Sequence, residues 1–340
     1  MTTQRWKNRP EGSNWGDFGP DDQIGRMNLV TPEARLSGAR EIREGLSFCL
    51  SLPLDYPGGN VLFPLRKEPV FHHEKRGDGH NFNFDMSALS PCYCDVVSDD
   101  AVTLYTQYST QWDALAHVGM RFDADGDGEA EKVYYNGYRG GEDIVGPDDG
   151  GRPNGAAALG IENLAASGVQ GRGVMVDLER SHGRDRVLID YDALMKAMDG
   201  NDTDIAEGDF LCLNTGFADL VLSMKKQPDG EVLGKSCAVL DGRDTRLLNW
   251  ITDSGIAAIC ADNFAVEAYP ARTPEGERFP ALPLHNHCLF KLGIHLGELW
   301  NFSELARWLR ENGRSAFFLT APPLRLPGSV GSPVTPVATV

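Results

Sequence analysis

The stretch QYSTQWDALAH, Gln107 to His117, sets two amides, a carboxylate and an imidazole at odd positions: Gln107, Gln111, Asp113 and His117. On a helix those positions scatter, whereas on an extended chain equal parity places them on one face. The preceding AVTLYTQ argues for strand. A strand face of Gln, Gln, Asp and His is not a core face and must look into water or into a polar site. Drawn out straight, the span runs roughly 33 Å. The four groups can therefore meet only if the chain bends, at Ser109-Thr110 or at Ala114-Leu115-Ala116. Asp113 offers a hard anionic oxygen that suits Zn, Mn or Mg. His117 can ligate a metal or carry protons. A solvated edge strand is the competing reading of the same residues.

The second half adds candidates. PLHNHCLFKLGIHLGELW contains His285, His287, His295 and Glu298. If HNHCLFKLG is helical, His285 and His287 face different ways. The plainer reading of His287 and His295 is a satisfied core or surface histidine. ADNFAVE contains Asp262 and Glu267, and NTGF contains Thr215 and Gly216. Each follows an apolar run, the place where α/β sites commonly form. DADGDGEAEKVY begins like a calcium loop, but Tyr134 stands where an EF-hand needs its bidentate glutamate. It reads as a solvated acidic loop.

These residues need a scaffold. GRGVMVDLE, GDFLCLNTG, GIAAICADN and RSAFFLTAP are short apolar runs bounded by Gly or polar residues, and they predict buried strands. IENLAASG, DYDALMKAMDG, DTRLLNWITDSG and NFSELARWLRENG predict helices, several with a C-terminal Gly. Thr31 and Pro32 open another helix. LSFCLSLPL alternates as a strand. CYCDVVS and AVTLYTQ flank Asp99-Asp100 and predict a β-hairpin leading into Gln107. Residues 56–90, rich in Gly, Pro, His and Asn, predict a long covering loop. The expected fold is α/β, one domain over 1–340, with 1–30 as an N-terminal arm and 322–340 as an extended C-terminal tail.

Bulk properties narrow the function. A chain of 340 residues with 41% hydrophobic content can build a large core. Its net charge of −17 disfavours nucleic acid and anionic membranes as partners. The polar start MTTQRWKNRPEGSNWGDFGPDD lacks a signal-peptide core, and no run reaches transmembrane length. Seven Cys without a C-x-x-C predict reduced thiols in the cytoplasm.

On these residues the chain resembles the cyclase-type metal-dependent hydrolases, which include kynurenine formamidase and isatin hydrolase. The family pattern is H-x-G-T-H-x-D-x-P-x-H. Thr110, Asp113 and His117 match it. Gln107 and Gln111 stand at its first two histidines, Ser109 replaces its Gly and Leu115 its Pro. The Gln pair is similar to a variant, Q-x-x-x-Q-x-D-x-x-x-H, associated with trans-dienelactone hydrolase. NWGDFGPDDQIGRMNLVTPE, LNTGF, ADNFAVE and VGSPVTP look like further family blocks, in the usual order.

The resemblance implies a mixed β-sheet core flanked by helices, the swivelling β/β/α fold, and a homo-oligomer, dimer or tetramer, whose N-terminal arm can complete a neighbour's pocket. It implies one divalent metal, Zn first and Mn second. Asp113 would ligate it, His117 would ligate or act as acid/base, and His285 and Glu298 would be the downstream ligands, with Glu298 also a candidate base. His287 competes with His285. Gln107 and Gln111 would ligate through their amide oxygens or orient a water. Trp15 and Trp112 are candidates to line a substrate pocket. The implied reaction opens a lactone or cyclic amide with an activated water. The alternatives are a lyase or true cyclase on a carbonyl compound, or a non-catalytic homologue that has lost its metal.

Overall fold

The short apolar runs form the centre of a nine-stranded sheet in this computed structural model, which describes residues 4–150, 154–274, 276 and 278–340. In chain order its strands are β1 (Ser47–Cys49), β2 (Gln111–Asp113), β3 (Gln170–Asp177), β4 (Phe210–Asn214), β5 (Ala258–Ala261), β6 (His295–Glu298), β7 (Ala316–Thr320), β8 (Gly331–Pro333) and β9 (Val337–Thr339). Their spatial order is β1-β9-β7-β3-β4-β5-β6-β2-β8. β3, β4, β5 and β6 run parallel, and the flanking pairs are antiparallel. The molecule is thus one α/β domain on a mixed sheet.

The parallel strands are buried on both faces, which explains their continuous apolar runs. Along β4, Leu211 and Leu213 join one core while Phe210 and Cys212 join the other. Along β5, Ile259 and Ala261 alternate with Ala258 and Cys260 in the same way. Helices cover these faces. Tyr191–Gly200 is capped by Asp190, whose carboxylate accepts from Ala193 N at 2.9 Å, and it buries Leu194 and Ala197. Ser303–Glu311 buries Leu305, Ala306 and Leu309. Thr31 caps Pro32–Ala39, as its sequence predicts. Among the described residues, no helix is long and apolar enough to cross a membrane.

Two outer regions differ from expectation. CYCDVVS and AVTLYTQ do not pair with each other. Val96–Val97 pairs with Phe84–Asp85, and Ala101–Thr103 pairs with Val70–His72. Their partners come from the stretch expected to be a loop. Within the C-terminal residues two short pieces enter the sheet: β8 pairs with β2, and β9 lies between β1 and β7. The N-terminal arm packs on its own chain. Gly25, at φ 53°, meets Gly293 so closely that an added Cβ would lie 2.1 Å from the Gly293 carbonyl oxygen. The adjacent Arg26 is buried, and its guanidinium donates to Ile251 O and Thr252 O at 2.8 and 2.6 Å.

Candidate metal centre and its cavity

β2 is the positioning element. It is only three residues long, and all three are buried. Trp112 points into the core that holds Trp300, Phe302 and Phe317, so Gln111 and Asp113 face the other side of the sheet. β6 pairs antiparallel with β2, and Glu298 lies directly across from Gln111. The chain turns on both sides of β2, with Tyr108 N donating to Tyr105 O and His117 N to Ala114 O. Of the two alternative bend positions, Ala114-Leu115-Ala116 forms the second turn, and the first turn falls at Tyr105–Tyr108, just ahead of Ser109-Thr110. His285 arrives from a helical turn, Pro283–His285, that continues as a π-helical stretch, Asn286–Leu292.

Asp113, His285 and Glu298 each offer one ligand atom, all within 4.8 Å of one another. His285 Nε2 lies 3.2 Å from Glu298 Oε1 and 3.9 Å from Asp113 Oδ2. His117 Nε2 lies 3.8 Å from Asp113 Oδ1, with a fifth of its side chain exposed. Asp113 Oδ2 is buried without a hydrogen-bond partner. On the far side of the His285 ring, Nδ1 meets Glu267 Oε1 at 2.8 Å. Glu267 also accepts from the backbone N–H groups of Leu284 and His285, both at 3.0 Å. A carboxylate that holds Nδ1–H leaves the Nε2 lone pair for a metal.

The Gln111 amide decides the character of the cluster. One end faces the backbone carbonyls of Gln107 and Ser109, at 2.6 and 3.1 Å. The other faces Asp113 Oδ1 and Glu298 Oε2, at 3.3 and 3.5 Å. Both ends face acceptors, and the shorter contacts are those to the carbonyls, so the amide nitrogen belongs with them. That leaves the amide oxygen against two carboxylates, an arrangement that calls for a positive charge between them. The donor set, one imidazole with carboxylate and amide oxygens, suits a divalent cation of the Zn or Mn kind.

The charges agree. Burial raises the Asp113 pKa, and Glu298 adds to it, while His117, His285 and Arg66 oppose the rise. Burial also works against charged Glu298, yet its hydrogen bond with His285 holds its pKa below the ordinary value. For His285, burial lowers the pKa, but hydrogen bonds to Glu267 and Glu298 outweigh that and raise it to about 10. The cluster thus holds a positive charge on His285 where a cation would compete for Nε2.

The cluster opens onto a cavity of about 490 Å³, with His117, His285, Glu298 and Gln107 in its wall. Phe63, Leu65, Tyr105, Phe264 and Tyr269 supply much of the rest. Gln107 stays at this wall: Thr106 Oγ1 donates to its Oε1 at 2.8 Å, and its Nε2 is buried without a partner. It leans on Gly331 of β8, where a Cβ would come within 2.4 Å of Nε2.

Other sequence candidates lie elsewhere. His287 bonds Thr252 Oγ1 at 2.9 Å, away from the cluster. His295 is buried behind β2, its Nδ1 donating to Asp113 O at 3.0 Å. Neither Trp15 nor Trp112 lines the cavity. Trp15 donates from Nε1 to Phe290 O and stacks edge-on with that ring, and Trp112 donates to Ala321 O and meets Trp300. Both are buried core residues: Trp112 because a strand that turns Gln111 and Asp113 to the site must turn its middle residue away, and Trp15 because it packs on Phe290. Asp262 accepts from Thr215 and Phe217 and holds the NTGF turn. Asp123 caps its own acidic loop, accepting from Gly126, Asp127 and Gly128 N–H groups.

Two site residues stand out beyond those expected. Glu267 was visible only as a carboxylate after an apolar run. Its aim depends on Ala265 and Val266, both at positive φ, 72° and 56°. Such strain in a β-branched residue is rare and clusters at functional sites. Arg66 and its neighbour Phe63 come from the presumed covering loop, where no residue pattern marked them.

The chain matches a family model described as putative cyclase over residues 50–268. A crystal structure described as a novel cyclase is 33% identical, covers 96% of this chain and 97% of that one, and superposes with a TM-score of 0.74. Isatin hydrolase A from Labrenzia aggregata, bound to benzyl benzoate, is 13% identical, with 90% and 97% covered and a TM-score of 0.55. An isatin hydrolase bound to the product analogue thioisatinate is 14% identical, with 91% and 99% covered and a TM-score of 0.53. The two isatin hydrolases share the fold. No curated protein matches the chain.

Proposed function

Because the chain belongs to the putative cyclase family, we propose that it is a metal-dependent hydrolase that opens a cyclic ester or cyclic amide. The observation that carries this reading is the convergence of Asp113, His285, Glu298 and the Gln111 amide oxygen beside a largely apolar cavity. Those four side chains hold the cation, with zinc the first choice and manganese the second. When bound, such a cation supplies Lewis acidity toward a carbonyl and toward a water.

The chain's own residues supply the rest. Glu267 keeps His285 in the tautomer that presents Nε2. His117, open to the cavity and beside Asp113, takes a proton from the attacking water and returns it to the leaving oxygen or nitrogen. Glu298 is bound up with His285, which favours a ligand role over a base. Gln107, outside the cluster, orients a water or the substrate from the cavity wall. The apolar walls take a small cyclic substrate and exclude bulk water.

Exposed apolar side chains such as Phe71 and Val96 support a homo-oligomer, dimer or tetramer, in which a second copy covers them. The exposed thiols Cys49, Cys92 and Cys94 support a reducing, cytoplasmic setting.

The test joins metal quantification of the purified protein with a hydrolysis screen of lactones, cyclic amides and formamides. Stoichiometric Zn or Mn in the wild type, its loss in Asp113→Ala, and label from oxygen-18 water in the product are expected. Metal-free wild type that gains no thermal stability from added Zn or Mn overturns the metalloenzyme. Product without label assigns a lyase or cyclase instead.

A further inference from the structure

A second cavity, of about 110 Å³, shares a wall with the first. Phe264 and Tyr269 line both, with their ring centres 6.2 Å apart and their planes at 77°. Leu62, from the expected covering loop, supplies more of its apolar surface. So do Phe217 and Leu233, from the short helices Phe217–Ser223 and Gly230–Gly234. None of Asp113, His117, His285 and Glu298 lines it. It is a separate space that touches the catalytic cavity only through two aromatic side chains.

Arg186 lines the same cavity and is exposed at its edge. The chain carries 49 acidic residues against 32 basic ones, yet among the described residues no carboxylate pairs with Arg186. Partial burial lowers the Arg186 pKa, and the one opposing influence comes from Cys237. Burial raises the Cys237 thiol to about 12, so it keeps its proton and brings no negative charge. Arg186 is therefore an uncompensated cation at the edge of an apolar space. A cation partly stripped of water gains from an opposite charge. A single guanidinium fork matches a carboxylate with two parallel hydrogen bonds, and apolar walls take the carbon body behind it.

We propose that this second cavity is a feedback site, which binds a small carboxylate with an aromatic or other apolar body. Ring opening of a lactone or cyclic amide yields a carboxylate of that class, so the feedback role rests on the hydrolase reading. The binding site itself does not. Phe264 is the link: it opens the Ala265-Val266 turn, at positive φ, that aims Glu267 at His285. An occupant packed on Phe264 bears on the residues that orient the metal-binding imidazole.

Two measurements on the full-length protein test it, with benzoate as the probe and benzamide as its uncharged counterpart. The first is calorimetry, which needs no turnover. A Cβ at Gly230 would meet Val61, another residue of the cavity wall, at 3.4 Å, so Gly230→Leu takes up room there. Benzoate binding is expected to weaken about 10-fold in Arg186→Met, the low end for a charge-assisted hydrogen bond, while benzamide binding does not change. Both compounds weaken in Gly230→Leu. The Arg186-dependent binding survives in Asp113→Ala. Benzoate binding unchanged in Arg186→Met or in Gly230→Leu, or an Arg186-dependent event lost in Asp113→Ala, overturns the site.

The second is steady-state turnover of a neutral lactone or cyclic amide by the metal-loaded enzyme, with and without benzoate. Benzoate is expected to lower kcat in wild type, and Arg186→Met keeps the uninhibited rate and loses that inhibition. Inhibition through KM alone, or equal inhibition of kcat in both proteins, overturns the feedback. If no such compound is opened, the hydrolase reading and the feedback fail together, and the binding site is decided by calorimetry alone.

Discussion

Asp113 and Glu298 stand on strands with hydrogen-bonded neighbours on both sides, and His285 stands on a helical turn buried against them. Phe63, Leu65, Arg66 and Tyr105 stand on a segment, roughly residues 60 to 105, that the main sheet does not include. The first group is almost wholly shielded from solvent, whereas Leu65 is 73% exposed and Tyr105 40%. The excursion is held by pairs of strands two or three residues long, and such pairs are marginal alone. Groups that must meet within tenths of an ångström sit where packing fixes them. Groups that only line the cavity sit on a segment that can open and change at low cost.

Removing a ligand tests that division most severely. Asp113→Ala and Glu298→Ala are expected to lose the metal and at least 10²- to 10³-fold of turnover, roughly the effect of deleting one group that stabilises developing charge. Metal content and single-turnover rates check this. If either variant keeps its metal, the chemistry does not reside in the sheet cluster, and the comparison breaks.

Acid probes the same packed region. Burial, helped by Lys291, pushes the His287 pKa from the ordinary 6.5 down to about 4. The unfolded chain binds that proton near pH 6.5 and the folded chain only near pH 4. Between those values the unfolded state holds more protons, so stability is full above pH 6.5 and falls as pH drops toward 4. The loss attributable to this group is about 3 kcal/mol at most. His287→Gln should flatten the dependence of the urea midpoint between pH 6.5 and 4. An unchanged slope would mean that water reaches the ring and the packing there is looser than the sheet implies.

The packed region was also the more legible one. The parity of Gln107 to His117 holds across Gln111, Trp112 and Asp113, because a strand buried on both faces must alternate. It fails at Gln107 and His117, which the flanking turns carry off the strand. The parallel strands could be read because each is a continuous apolar run. β8 and β9 could not, since Gly-Ser-Pro and Val-Ala-Thr become strands only through their neighbours. The excursion was misread for a related reason. Asp99-Asp100 carries a turn signal, but the pairing is decided by partners in a polar stretch with no alternation. Glu267 reaches His285 through a turn with two residues at positive φ, which nothing in ADNFAVE announces.

Glu267 gives a milder test of the same packing. Glu267→Gln keeps one oxygen, enough for the side that holds His285 or for the Leu284 N–H but not for both, and it removes the charge that holds His285 Nδ1–H. Metal affinity should fall roughly 10- to 100-fold, the range for losing such a supporting carboxylate. Competition with a chelator measures it. No change would mean that the backbone alone orients the ring.

The smallest expected effect lies at the excursion's outer edge. Phe71 is 64% exposed and pairs across strands with Val102. That pair is worth about 0.2–1 kcal/mol within its own ribbon. If the excursion opens separately from the sheet, Phe71→Ser should leave global unfolding within about 0.5 kcal/mol of wild type, since the lost contact belongs to a unit that has already opened. Amide exchange along 70–103 should quicken while β3 to β6 stay protected. A drop of more than about 2 kcal/mol in global stability would place Phe71 in a large shared core. If that drop comes with dissociation in sedimentation velocity, the core is one formed with a second copy. The excursion would then be packed in the assembly as firmly as the sheet is within the chain, and the contrast between the two regions would belong to the isolated chain alone.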